Sequence, residues 1–217
     1  MIEANLRSVT QRISMACERS GRRPSDVKLV CVTKQASIDQ IRTVISLGVA
    51  TFGENRVQDA VNKSASIGGS ARWHLVGHLQ TNKVRDAVRM FDLIHSVDSL
   101  RLAMAIDKEA SRIGKVQEAL VQVNVSGEKS KFGMPPGELE EFIDRTRPCG
   151  NFRVKGLMTI APIHSKPEDY RAIFRSLRRL RDGYGFTSEL SMGMTDDFEV
   201  AVEEGATLIR IGRAIFG

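Results

Sequence analysis

The sequence predicts an α/β fold consisting of one (β/α)₈ TIM barrel. Three observations carry that expectation. Eight short apolar runs recur along the chain, separated by amphipathic stretches, and β-α units in series favour a closed parallel barrel over an open sheet. A length of 217 residues with 41% hydrophobic and 27% charged residues suits one well-filled domain spanning 1–217. No linker, internal repeat or low-complexity segment divides it.

Residues 2–19 come first, with Leu6, Val9, Ile13 and either Met15 or Ala16 at near-helical spacing. "VKLVCVT" (27–33) reads as the first strand. After it "SIDQIRTVISLG" reads as a helix that Ser37 caps and Gly48 closes. "ATFGE" (50–54), "WHLVG" (73–77) and "DLIHSV" (92–97) are the next strands, and "DSLRLAMAIDKEASRIG" is a further helix. "ALVQVNV" (119–125) leads into the most irregular connection, "SGEKSKFGMPPG" (126–137), whose glycines and prolines shape a lip near the barrel mouth. "VKGLMTI" (154–160) precedes a helix opening on Pro167 and closing near Gly183. "ELSMG" (189–193) and "TLIRIG" (207–212) complete the strands. The sequence stops at "GRAIFG" directly after the eighth run, so the N-terminal helix is expected to cover that strand.

No apolar run is long enough to cross a bilayer, and the N-terminal stretch carries acids without an apolar signal core. A cytoplasmic protein with no membrane partner is therefore expected. Cys17, Cys31 and Cys149 are odd in number and widely spaced, which fits reduced thiols and not a disulfide frame or a zinc site. The net charge of +6, "RSGRR" (19–23) and "RSLRRLRD" ending at Asp182 raise a nucleic-acid reading. The arginines of the second stretch alternate with Leu177 and Leu180 as on a solvated outer helix face, and no aromatic interleaving accompanies them, so no nucleic-acid partner is expected.

In barrels of this kind, chemistry gathers where strands end and loops begin. Those positions are Lys34, Glu54 and Asn55, His78, Ser96 and Asp98, Asn124, Thr159, Ser191, and Arg210 with Gly212. Lys34 shares a strand face with Val30 and Val32, and Arg210 shares one with Leu208. If those faces point inward, both cations occupy one mouth, and mutual repulsion favours the free amine that Schiff-base chemistry needs. The alternatives are a Lys34 that reaches solvent or one that pairs with Glu54.

"LSMGMTDDFEVAVEEG" (190–205) and "IRIGRAIFG" (209–217) have the make-up of a phosphate cradle shared by the last two strands. Small residues let backbone N–H groups approach an anion, Ser191 adds a hydroxyl, and a helix start after Thr195 or at Arg213 adds a positive dipole end. The same glycines could equally serve turns and close packing alone. An activated lysine beside such a cradle points to pyridoxal phosphate or to a phosphorylated sugar.

The blocks "VCVTKQ", "FGENRVQDA", "WHLVGHLQTNK", "HSVDS", "QVNVSGEKSKFG", "GLMTIAP" and "LSMGMTDDFEVAVEEGATLIRIGRAIFG" together resemble the pyridoxal phosphate homeostasis family, from about residue 27 to the last. The resemblance implies the alanine racemase-like barrel of pyridoxal-phosphate enzymes (fold type III) without their second, β domain. It implies that Lys34 forms a Schiff base with the cofactor and that Asn55 sits near the ring hydroxyl. Ser191 and the backbone of Met192, with Gly212 and Arg213, would hold the phosphate. Arg210 would face the pyridine nitrogen, and because a guanidinium does not readily protonate the ring, the cofactor becomes a weaker electron sink. Thr33 and Thr195 stand where the family often has serine, and Phe132 and Gln35 alter the pocket lip.

His74, His78, His95 and His164 form no metal-ligand spacing, so no metal is expected. The function implied is that of a carrier or buffer of pyridoxal 5'-phosphate, not an enzyme, monomeric and touching apo-enzymes transiently. Other readings are an amino-acid racemase or decarboxylase, a Schiff-base aldolase, and a basic nucleic-acid binder.

Overall fold

The computed structural model describes residues 1–69, 71–128, 131–162, 166–184 and 189–217. Eight parallel strands close into a barrel in sequence order. They are β1 (Lys28–Val32), β2 (Thr51–Glu54), β3 (Arg72–Leu75), β4 (Leu93–Val97), β5 (Gln117–Gln122), β6 (Phe152–Met158), β7 (Glu189–Ser191) and β8 (Leu208–Ile211). Each predicted apolar run overlaps one of them, with β3, β5 and β6 starting one or two residues before the predicted run. The outer ring consists of α1 (Ile2–Arg19), α2 (Ile38–Ser46), α3 (Val57–Ile67), α4 (Val84–Met90), α5 (Leu100–Arg112), α6 (Leu139–Thr146), α7 (Pro167–Tyr184), α8 (Phe198–Glu203) and the short α9 (Arg213–Phe216).

Strand alternation sorts the apolar residues into two cores. Val30, Val76, Leu93, Leu120, Met158 and Leu208 meet inside the barrel. Cys31, Phe52, Leu75, Ile94, Val121, Leu157, Leu190 and Ile209 point outward into the layer beneath the helices. Gly53 keeps the interior narrow, because a Cβ there would lie 3.0 Å from Val30 and 3.3 Å from both Val32 and Val76. Gly156 lets β6 approach β7, since a Cβ would meet the carbonyl oxygen of Glu189.

The N-terminal helix α1 covers the last unit, as expected. It packs against α2 on one side and against α8 and α9 on the other. Asn5 Nδ2 donates to the carbonyl of Ile215 at 3.1 Å, and Arg12 pairs with Glu199 at 3.0 Å. The arginines of α7 are less free than a solvated face implies. Arg171, Arg175 and Arg178 converge on Glu204, which is 3% exposed, with N···O distances of 3.0, 2.9 and 3.5 Å. Spacing along α7 reveals the outward face, but not the carboxylate that the end of α8 brings under it.

Cys17 and Cys31 are buried free thiols, and Cys149 is a half-buried one. Among the described residues, no helix is long and apolar enough to cross a membrane.

Candidate cofactor site

Lys34 lies in the turn between β1 and α2, one residue past the buried Thr33. The turn is held at both ends. Ala36 N donates to Thr33 O at 2.9 Å, and Ser37 and Gln40 form a reciprocal cap at the start of α2, with distances of 3.2 and 2.9 Å. Glu54, at the end of β2, does not pair with Lys34. Its Oε1 accepts from Lys63 Nζ and from Thr33 Oγ1, both at 2.7 Å, and its Oε2 accepts from Asn55 N at 3.2 Å. Lys63 also donates to Thr33 O at 2.6 Å. Lys34 is exposed and has no ion pair or hydrogen bond among the described residues.

Lys34, Asn55, Arg210, Gly212 and Arg213 line one cavity of about 510 Å³ at the C-terminal mouth of the barrel. Its apolar walls are Val32, Val76 and Ile160. Arg210 is 4% exposed and donates through Nη1 to Ser191 Oγ at 2.5 Å and through Nη2 to Thr159 O at 2.9 Å. Burial lowers its pKa to about 10, with the Asp197 carboxylate opposing that shift, so the guanidinium keeps its charge at neutral pH. Asp197 is itself buried, and burial raises its pKa.

Two of the residues expected at the phosphate, Ser191 and Met192, do not line this cavity. Ser191 is fully buried beneath the cavity, its hydroxyl engaged by Arg210 and by His95 Nδ1 at 2.8 Å. The Met192 amide donates to Leu208 O at 3.2 Å, so the sheet already uses it. The loop from β7 reaches the cavity through Met194, Thr195 and Asp196 instead. Asp197 Oδ1 shapes that loop by accepting from Met194 N at 2.5 Å. Thr195 is thus the hydroxyl residue that this loop brings to the cavity wall. Opposite it, Gly212 and Arg213 open α9, whose first amides have no partner within the helix. Gly212 is required by close approach: a Cβ there would lie 2.8 Å from Val32 O. The Arg213 side chain turns to Asp196, at 2.5 Å.

His78 and Phe132 form the lip, stacked at 15° with ring centroids 4.0 Å apart. Gln122 Nε2 donates to Phe132 O at 3.1 Å, and His78 Nδ1 lies 3.6 Å from Asp98. Asn124 shapes the adjoining loop, accepting from Gly127 N and donating to Glu128 O. Gly77 crosses close to the backbone of Asn55, where a Cβ would lie 2.3 Å from its carbonyl oxygen. Among the described residues no three His, Cys, Asp or Glu gather as a metal site, and His164 lies outside those residues.

Residues 4–217 match the family model of the alanine racemase N-terminal domain. A pyridoxal phosphate homeostasis protein of Aquifex aeolicus is 44% identical over 218 residues, covering 98% of this chain and 96% of that one. The chain belongs to the pyridoxal phosphate homeostasis family. PipY of Synechococcus elongatus, solved with pyridoxal phosphate bound, superposes on this family member with a TM-score of 0.85 at 36% identity, covering 96% of this chain and 100% of that one. An alanine racemase of Clostridium difficile shares the fold alone, with a TM-score of 0.75 at 15% identity. All of this chain matches only 56% of that racemase.

Proposed function

We propose that this chain, as one barrel domain over 1–217, binds pyridoxal 5'-phosphate in the mouth cavity and stores or delivers it without turning over amino acids. The observation that carries this reading is the availability of Lys34. It is a primary amine on the cavity wall, and Glu54, the carboxylate at the end of the neighbouring strand, is committed to Lys63. The cofactor supplies an aldehyde, which condenses reversibly with a primary amine.

The donor set fits the group. A cavity of about 510 Å³ is within the range of small-molecule sites. Lys34 faces the aldehyde, and Val32, Val76 and Ile160 offer apolar surface to a flat ring. Arg210 takes the ring nitrogen, as a donor that keeps its own proton. Thr195, with the amides at Gly212 and Arg213, takes the phosphate. Asn55 takes the ring hydroxyl.

What supports storage over turnover is the exposure of Lys34. Stereochemical chemistry at an amino-acid Cα depends on a water-excluded site with opposed bases. Lys34 lies open to solvent. Under this reading the chain acts as a cytoplasmic monomer that meets apo-enzymes transiently.

The test is the visible spectrum of the purified protein with pyridoxal phosphate, followed by borohydride reduction and peptide mapping. A yellow protein that bleaches on reduction and carries the pyridoxyl group on Lys34 supports the reading. Label scattered over surface lysines, or solvent deuterium entering the Cα of an amino acid at catalytic rates, sinks the binding or the storage half respectively.

A further inference from the structure

Beneath the cofactor cavity, four side chains form a hydrogen-bonded chain through the barrel. Arg210 Nη1 donates to Ser191 Oγ at 2.5 Å, Ser191 Oγ lies 2.8 Å from His95 Nδ1, and His95 Nε2 lies 3.0 Å from His74 Nδ1. Ser191 and His95 have no exposed surface, and His74 is 7% exposed. The remaining ring nitrogen of His74, Nε2, has no partner among the described residues. It faces a second cavity of about 410 Å³, which His74 lines at the N-terminal end of the barrel.

The proton order in this chain follows from its upper end. A guanidinium has donors only, so Ser191 Oγ accepts from Arg210. The serine proton then has one acceptor within reach, His95 Nδ1. Were His95 Nδ1 to carry a proton instead, a fully buried hydroxyl hydrogen would be stranded. Both rings are neutral, because burial lowers His74 to about 4 and His95 well below its ordinary value. His95 therefore carries its hydrogen on Nε2 and donates it to His74 Nδ1. His74 in turn carries its hydrogen on Nε2, aimed into the lower cavity.

That cavity is rich in positive charge. Lys28, Arg72, Lys115, Arg153 and Lys155 line it, against Asp92, Glu118 and Glu189. Most of these charges are already committed. Asp92 Oδ2 accepts from Trp73 N, Glu189 holds Lys28 and Thr207, Glu118 lies near Arg153 and Lys155, and Lys115 donates to Val88 O and Phe91 O at 2.7 Å each. Arg72 has no carboxylate partner among the described residues. It stands two residues before His74 on β3, on the same inward face.

We infer that the lower mouth of the barrel is a binding site for a small free oxyanion of phosphate size, held by the Arg72 guanidinium and by the Nε2–H of His74. A ligand there accepts from the last donor of a chain that begins at Arg210. Successive hydrogen bonds polarise one another, so an anion at the lower mouth tightens the Arg210–Ser191 bond under the cofactor cavity. By linkage, the effect runs both ways.

The binding half of this inference needs no cofactor, so it is tested apart from the function proposed above. Long-range ¹H–¹⁵N spectra of the full-length protein report the histidine tautomers directly. Both His74 and His95 are expected as Nε2–H forms, and titration with inorganic phosphate is expected to shift the His74 Nε2 signal saturably. Arg72→Ala, a change at an exposed position, is expected to weaken phosphate binding about tenfold or more, with partial recovery in Arg72→Lys. An Nδ1–H tautomer at either ring, or phosphate binding that Arg72→Ala leaves unchanged, overturns the inference. In protein loaded with pyridoxal phosphate, the coupling predicts that phosphate shifts the visible band in the parent chain and not in Arg72→Ala. The same shift in both chains would overturn the coupling.

Discussion

Lys63 Nζ lies 2.7 Å from Oε1 of Glu54, whose side chain has no exposed surface. This pair reaches across from α3 to the end of β2 and determines the company Lys34 keeps. Glu54 is the strand-end carboxylate nearest in sequence to the lysine, and Lys63 and Thr33 together occupy its Oε1. Lys34 is left with an unpaired amine at the rim of the cavity.

Removing one partner of that pair strands a buried charge. Lys63→Met is expected to destabilise the fold by about 3–5 kcal/mol, and Lys63→Met combined with Glu54→Gln by less, because the second change removes the orphaned carboxylate. Urea unfolding of both variants checks the order. Equal losses would show that packing, not charge, dominates.

Gly212→Ala is expected to cost about 1–3 kcal/mol, since its Cβ would come 2.8 Å from the carbonyl of Val32 and force β8 away from β1. The displacement also moves the start of α9, so the affinity for pyridoxal phosphate should fall with stability. Thermal melts and a fluorescence titration of the same preparation test both effects.

Stability should decline on mild acidification. Burial holds the folded His74 ring near pKa 4, below its ordinary 6.5, so folding favours the neutral ring. That contribution is complete above pH 6.5 and is lost as pH falls toward 4, amounting to something on the order of 3 kcal/mol. His95, lowered for the same reason, acts in the same direction. Chemical denaturation at a series of pH values should show this slope in the parent chain, and a shallower one in His74→Phe. An unchanged slope in that variant would reject the assignment.

Phe132 is 58% exposed and stacks on His78 at the lip. Phe132→Ala should leave stability within about 0.5 kcal/mol, while speeding release of pyridoxal phosphate about three- to tenfold by opening the mouth. Stopped-flow transfer to an apo-enzyme or a trapping amine measures the rate. An unaltered rate would show that the lip does not gate exit.

Much of the site was legible because strand alternation is a local property. Val30 and Val32 share one face of the first strand with Lys34 following in the same alternation just past its end, and Leu208 and Arg210 share one face of the eighth, so their convergence is legible once those faces point inward. The place of Ser191 and Met192 could not be read in the same way, for a reason of depth. A hydroxyl and small residues at the end of a strand signal an anion cradle, but spacing does not say how far along the barrel axis each group stands. Ser191 and Met192 are fully buried and do not line the cavity, whereas Thr195, four residues beyond Ser191, does.

The arginines of α7 show the same limit from the outside. Their spacing on the helix is legible, whereas the buried Glu204 that gathers them comes from the end of α8, across a helix-helix contact.

The sequence by itself determined the eight strands, the covering role of the N-terminal helix, and the strand-end rim that carries Lys34, Asn55, Arg210 and Gly212. Apolar period and turn chemistry act between near neighbours, so they can be read in order along the chain. Only the tertiary structure decided the pairings. Glu54 goes to Lys63 and not to Lys34, and Arg210, Ser191, His95 and His74 join into one buried chain across four strands. Those contacts depend on barrel closure, which fixes the depth and facing of each strand. Burial then requires each polar group to find whatever partner that closure brings within reach.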